Sequence, residues 1–554
     1  MIPGRPPIFR TARRLAGAII LGLAAAASLA PSRAAGPDAA GSPAPRRGGT
    51  LILGVIAEPD SYDCAANASP AALETLTPHY STLLRIDPAN YPAIAGDLAQ
   101  SWTVSPDRLT YVFRLRPEIR FHDGSRLTSA DVKASYARLL APPAGIVLAR
   151  RANYAAIGRI ETPDPATVVF RLKWPEAAML ANFAAPWTCI YSAAKLAQDP
   201  AYPAAHILGT GPFVFVGHQP GVAWTGKRWT GYFEPGRPFL DGFVVKFRRE
   251  DALVEAMLHH RIDADFDSVT PEERDRLVAA LGAGLSVGED GWLASLLITF
   301  NTKRQPFDDA RVRRALSLAL DRWQAADALA RTSYLKFAGA IMRPGSPLAM
   351  PEADLEALPG FSHDGTGALA EARHLLAQAG VRTLAIHLAS RDIEQPYGPA
   401  IRYLARSWAQ LGITVVDQRL AAGAWQDALS HGRFDAALTF AGDETDDPSQ
   451  QLAPFVSSDL SPLDRSGASD RMLDSLFIGQ AVARSLGERT RIVREFEQRA
   501  ITEAYSVPLL WANRIVVTSA AVKGWTMAPN GPLGLDLSGI WLAGHGTPAQ
   551  EAQQ

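Results

Sequence analysis

Residues 121–140 read FHDGSRLTSADVKASYARLL, and within five positions they place His122, Asp123 and Ser125. These are the side chains of a nucleophilic relay. A working relay, however, needs its members in hydrogen-bond series, usually drawn from distant parts of the chain. On an extended segment adjacent side chains point to opposite faces, so His122 and Asp123 diverge. Asp123-Gly124 is instead a turn signal, because glycine tolerates positive φ. Thr128 or Ser129 can then cap a following helix by accepting from its free N–H groups. Val132, Tyr136 and Leu139 or Leu140 give that helix one apolar face. The stretch therefore predicts a strand, a tight turn and a capped helix rather than catalysis.

The pattern continues on both sides. Leu109, Tyr111, Phe113 and Leu115 face one way with Thr110, Val112 and Arg114 between them, and Val168, Phe170, Leu172 and Trp174 repeat the pattern, as do Phe243, Val245 and Phe247. Helices lie between these strands. Residues 306–329 carry Val312, Leu316, Leu320 and Trp323 at helical spacing, with Asp308 or Asp309 placed to cap them. Residues 488–505 carry Ile492, Phe496 and Ala500. Strands and helices mix throughout, with no repeat of 20–50 residues. At 554 residues the chain is too long for one compact domain, and two or three are expected.

Composition narrows the function. Hydrophobic residues make up 47% and charged ones 20%, which supports a sizeable core. The 55 Lys and Arg balance 56 Asp and Glu, so nothing suggests a nucleic-acid partner. Residues 1–34 have the order of a secretory signal: a basic start, the apolar run 15–30, then Ser32-Arg33-Ala34 before Ala35. The run is short for a membrane span of roughly 20 residues. Residues 35–47, rich in Pro, Gly and Ala, read as a flexible lead-in. Export would permit a disulfide between Cys64 and Cys189, but two buried thiols fit the sequence equally well.

Enzyme signatures are missing. There is no G-x-S-x-G elbow, no H-E-x-x-H zinc helix and no G-x-x-x-x-G-K-[ST] phosphate loop. Gly209-Thr210-Gly211 lacks the third glycine of a dinucleotide loop. His259, His260, Asp263, Asp265 and Asp267 form the densest ligand-like cluster, but they read more simply as a helix end entering a strand. No cofactor and no metal is expected.

Longer stretches carry a resemblance. LAQSWTVSPDRLTYVFRLRPEIRFHDGSRLTSADVKASY (98–136), ILGTGPFVF (207–215), HRIDADF (260–266), ITFNTKRQPFDDARVRRALSLALDR (298–322) and VKGWTMAPNGPLGLDLSGIWL (522–542) occur in the order seen in one family. On these residues the chain resembles the periplasmic solute-binding proteins of peptide-type ABC importers, the oligopeptide, dipeptide and nickel group. The resemblance implies an α/β, two-lobed periplasmic binding protein fold (type II, with an extra subdomain) joined by a two-stranded hinge. Lobe I would be 48–285 plus 510–545, with a subdomain inserted near 72–200, and lobe II 286–509. It also implies a monomer in the periplasm that takes a peptide-sized ligand between its lobes and passes it to a membrane permease served by a separate ATPase.

Peptide binders of that family pair the ligand's α-ammonium with an acidic residue four before a proline. Here the segment reads FAGDETDDP (440–448), which puts Glu444 at that place with Asp443 beside it. Glu replaces the usual Asp, and Ala441 stands where Trp is common. Trp425 and Trp292 resemble aromatics near the family's cleft and Trp511 lies near the return crossing, with core packing the alternative role for each, while Asn301 and Arg311 read as structural. A periplasmic hydrolase, or a binding protein used for sensing rather than uptake, are the competing functions.

Overall fold

The computed structural model describes residues 44–548 apart from 68–69, 149, 266–267, 443–444, 530–535 and 545–546. The expected signal peptide and most of the lead-in lie outside the described residues. The opening stretch folds as its chemistry dictates. Gly124 turns the chain at φ 86°, and the Asp123 carboxylate accepts from the Ser125 N–H at 3.0 Å and the Ser125 hydroxyl at 2.6 Å. Thr128 is the N-cap of the helix Ser129–Leu140, and Asp131 closes a capping box by accepting the Thr128 N–H at 2.7 Å. Val132, Tyr136 and Leu139 are buried.

That helix packs on a four-stranded antiparallel sheet in the order Ala99–Val104, Thr110–Leu115, Thr167–Leu172, Ile157–Asp164. The alternating residues Tyr111, Phe113, Val168 and Phe170 all face the core. Tyr136 meets Phe170 edge-on at 5.0 Å, and Phe170 lies 4.6 Å from Phe183. Trp174 does not continue the alternation: the strand ends at Leu172 and the indole is 43% exposed.

Arg138, on the same helix, reaches back to the outlet of the first long strand, Thr50–Val55. Its guanidinium meets Asp63 Oδ2 at 2.5 Å, and the Tyr191 hydroxyl donates to Asp63 Oδ1 at 2.8 Å. Beside this buried pair Cys64 and Cys189 are joined as a disulfide, which settles the alternative that the sequence leaves open. Gly209 and Gly211 are platforms rather than a phosphate loop. A Cβ at Gly209 would sit 2.1 Å from the His79 carbonyl oxygen, and one at Gly211 2.5 Å from the backbone of His79 and Tyr80.

One mixed sheet runs through the rest. Its order is Ile413–Leu420, Leu384–Arg391, Ala436–Gly442, Leu285–Phe300, Ser506–Ser519, Ala264–Asp265, Thr50–Val55, Gly242–Phe247, Ala223–Arg228, Phe213–Gln219. Leu285–Phe300 and Ser506–Ser519 pair antiparallel along most of their length, with a register break between Gly291 and Ser295. On one side of that break lies a core built mainly from residues 51–247 and 522–542; on the other lies one built from 296–510.

The segment expected as a single helix breaks in two, Ala310–Leu318 and Arg322–Leu329, because Asp309 and Asp321 each cap a helix of their own. Arg322 is fully buried, over Phe361 at 4.4 Å, and donates to the Pro508 and Gly360 carbonyls at 2.8 and 2.7 Å. Asn301 also proves structural, donating to the Gly432 and Phe434 carbonyls.

The disulfide closes a 125-residue separation. Replacing both cysteines by serine should cost about 2–5 kcal/mol, because the unfolded chain regains the freedom that the crosslink removes. Urea unfolding of the two proteins reads this directly; coincident midpoints would show that the Asp63–Arg138 pair alone holds the junction.

Candidate functional site

The strand Ala436–Gly442 lies antiparallel to Leu285–Phe300, with Thr439 opposite Leu297 and Ala441 opposite Ser295. It delivers the chain into the acidic segment 443–448. Asp443 and Glu444 lie outside the described residues. The acids that follow them are spent on structure. Asp446, at φ 53°, accepts from Arg343 Nη2 at 2.9 Å and from Gln451 Nε2 at 3.0 Å. Asp447 caps the helix Pro448–Gln451 through the Ser449 N–H and takes a two-pronged bond from Arg489 at 2.8 and 2.7 Å. Arg489 is held in turn by Gln480 Oε1 at 3.0 Å. Two buried arginines thus clamp one end of the acidic loop.

Against this strand lies a cavity of about 250 Å³, lined by Trp425, Thr439, Phe440, Gly442, Gln450 and Arg465 among others. Trp425 comes from the helix Ala422–Ser430, whose Leu429 packs on Ala389, Phe434 and Ala437. On the far side of Leu297, Trp511 closes a narrow slot with Ser295, Gln451 and Phe455. Trp511 is 2% exposed and its indole N–H donates to the Ala340 carbonyl at 2.8 Å, so its polar atom is spent on packing. Trp292 sits in the strand Leu285–Phe300 at the register break, and its side chain lies outside the described residues. Of the expected site residues, then, Trp425 and Trp511 fall on two adjoining hollows along one strand. Gln450 and Arg465 escaped the sequence reading, since neither carries a periodic or motif signal.

The surroundings of the loop also touch the 72–200 region. The Arg343 guanidinium lies 5.5 Å from the centre of the Tyr91 ring, and the Ala177 N–H donates to the Ala481 carbonyl at 2.7 Å. Glu176, next to that bond, is pushed up to about 7 from 4.5 by burial. Asp447 adds to the rise, while Arg489 and Arg108 oppose it.

Other constellations do not assemble. Ser125 bonds to Asp123, while His122 Nε2 faces the Gly211 carbonyl at 2.9 Å, so the trio is no relay. Asp263 accepts the Ile52 N–H at 2.8 Å and His259 faces Glu255, which leaves the His/Asp cluster without convergence among the described residues. A second hollow, about 460 Å³, is bordered by Arg85, Asp97, Arg237 and Asp536. Its charges are largely paired, Arg85 with Glu234 at 2.9 Å and Arg237 with Asp536 at 2.8 Å.

Two cores joined by a pair of long strands, with a cavity beside the crossing, define a two-lobed solute-binding fold of the periplasmic type. Residues 93–461 match the model of the bacterial extracellular solute-binding proteins, family 5 Middle, and the chain belongs to that family. It is 26% identical over 481 residues to a glutathione-binding protein of Salmonella typhi, covering 85% of this chain and 90% of the relative. It is 30% identical over 308 residues to di/tripeptide-binding protein 2 of Pseudomonas aeruginosa, covering 52% and 56%. Among solved structures, the PBP AgaA from A. tumefaciens R10 in complex with agropinic acid superposes with a TM-score of 0.73 at 26% identity, covering 90% of this chain and all of that one. The EDTA-binding protein EppA shares the fold, with a TM-score of 0.79 at 18% identity over 92% of this chain and 99% of that one. These relatives are binding proteins, and this chain is a binding protein rather than an enzyme. No helix among the described residues is long and apolar enough to cross a membrane.

Glu176 makes part of the stability pH-dependent. Its pKa in the fold is raised, so its contribution is complete below the ordinary 4.5 and is lost as pH rises through about 7. Glu176→Gln, always neutral, should therefore gain thermal midpoint over the wild type as the buffer goes from about pH 5 to about pH 7.5. A constant difference across that range would place Glu176 in water.

Proposed function

We propose that this protein is the extracytoplasmic substrate-binding component of an ABC importer, working as a periplasmic monomer. It captures a peptide or peptide-sized solute and delivers it to inner-membrane permease subunits driven by a separate ATPase. In this reading lobe I comprises 48–285 plus 510–545, with the subdomain 72–200 inserted, and lobe II comprises 286–509. The solute binds between them. Closure is a population shift driven by contacts available only in the closed state, and the Ala177–Ala481 bond and the Tyr91–Arg343 stack are contacts of that kind.

The observation that carries the reading is family membership together with relatives named for glutathione and for di- and tripeptides. All of these solutes carry an α-ammonium group. A desolvated ammonium needs a charged acceptor. Asp446 and Asp447 are committed to Arg343 and Arg489, so the role passes to Glu444, four before Pro448, with Asp443 as its neighbour. Trp425 supplies an aromatic wall.

Native mass spectrometry of the purified protein should reveal a co-purified solute, and adding that solute should raise the thermal midpoint. Glu444→Ala or Asp443→Ala should weaken its binding by about tenfold or more. If both variants bind the identified solute as tightly as the wild type, the ammonium anchor lies elsewhere.

A further inference from the structure

The contact between the 72–200 region and residues 286–509 carries a carboxyl group with no ion-pair partner of its own. Glu176 precedes Ala177, whose N–H donates to the Ala481 carbonyl across that contact at 2.7 Å. The Glu176 carboxylate accepts the Ala178 N–H at 3.2 Å and makes no salt bridge to any described residue. Its charged neighbours are Asp447 and Arg489 across the contact and Arg108 on its own side. The Tyr111 hydroxyl also feels its charge, but burial pushes that hydroxyl above its ordinary 10.0, so it stays neutral near pH 7.

Across the contact the two charges offer Glu176 little. Arg489 gives both prongs of its guanidinium to Asp447, at 2.8 and 2.7 Å. An ionised Glu176 is therefore a second carboxylate beside a guanidinium already engaged, in a half-buried place, whereas a protonated one carries no such cost. Burial first, then Asp447, pushes its pKa up to about 7 against Arg489 and Arg108. Of these influences only Arg108 stays with Glu176 if the contact opens. Asp447 and Arg489 leave with residues 286–509, water returns to the carboxyl, and its pKa falls back toward the ordinary carboxylate range.

We propose that closing this contact takes up a proton at Glu176, so that acid favours the closed form and alkali the open one. This rests on the lobe-closure reading above and adds a control to it. The closed form keeps the proton to a higher pH than the open one. The advantage it gives to closure is therefore complete below the ordinary 4.5 and is lost as pH rises through about 7. A solute held only between closed lobes is then bound more tightly in acid and released more readily as pH rises.

The test is single-molecule fluorescence transfer on the mature, disulfide-bonded protein with no solute added. Dyes sit on cysteines introduced at two exposed positions, Lys133→Cys in the 72–200 region and Gly487→Cys in residues 286–509. In the wild-type background the ratio of short to long dye separations should rise about tenfold from about pH 7.5 to about pH 5.5. In Glu176→Gln, always neutral, the ratio should stay near the acidic wild-type value throughout, and Glu176→Ala should be equally flat. Two separations whose ratio ignores pH in the wild type, or a pH response that survives both variants, overturn the proton linkage and leave the importer reading standing. A single separation in every protein at every pH means that the lobes do not move. The closure reading then fails, and the proton linkage falls with it.

Discussion

The antiparallel pairing of Leu285–Phe300 with Ser506–Ser519 holds this molecule together. Everything else is attached to one end or the other of that ladder. Ser506 and Thr299, 207 positions apart in sequence, are hydrogen-bonded at 2.9 Å near one end, and Leu285 faces Ser519 at the other. Between them the register slips from Gly291 to Ser295, so the ladder is weakest where the two cores meet. A sheet that is continuous except at its crossing lets two rigid bodies bend about a short segment without breaking either core. The cavity and the acidic loop both hang from the strand beside that crossing.

Electrostatics then gives the loop its shape. Four acids in five positions would repel one another and stay mobile if left in water. Instead Arg343 and Arg489 draw Asp446 and Asp447 inward, and Gln451 and Gln480 complete the bonding. Buried ion pairs of this kind add little net stability, but they are expensive to disturb, and that fixes geometry. The same arginines face the 72–200 region through Tyr91 and Glu176, so the clamp on the acidic loop also forms part of the contact between the two regions.

Much of the architecture was legible in the sequence because local rules govern it. The Asp123-Gly124 turn, the capped helix after it and the alternating strands 110–115 and 167–172 need only neighbours a few positions away. The reading failed where a competing local signal or a distant contact intervened. Asp321 started a second helix within what looked like one, and Trp174 fell beyond the end of its strand. At the site, Trp425 was legible through resemblance, whereas Trp511 turned out to give its N–H to Ala340. Gln450 was invisible, since what marks it is a buried amide N–H without a partner, and that can be seen only when the neighbours are in place.

By itself the sequence determined the class of fold and the family. Each of these is written in short-range patterning and in motifs whose order along the chain is their signal. Tertiary structure alone decided that Cys64 meets Cys189, that two of the loop's acids are neutralised by Arg343 and Arg489, and that Trp425 Nε1 and Gln450 Nε2 are buried without a hydrogen-bond partner. The reason is physical. Disulfides, buried ion pairs and unmet donors are relations between residues tens to hundreds of positions apart, and only the folded chain brings them within bonding distance.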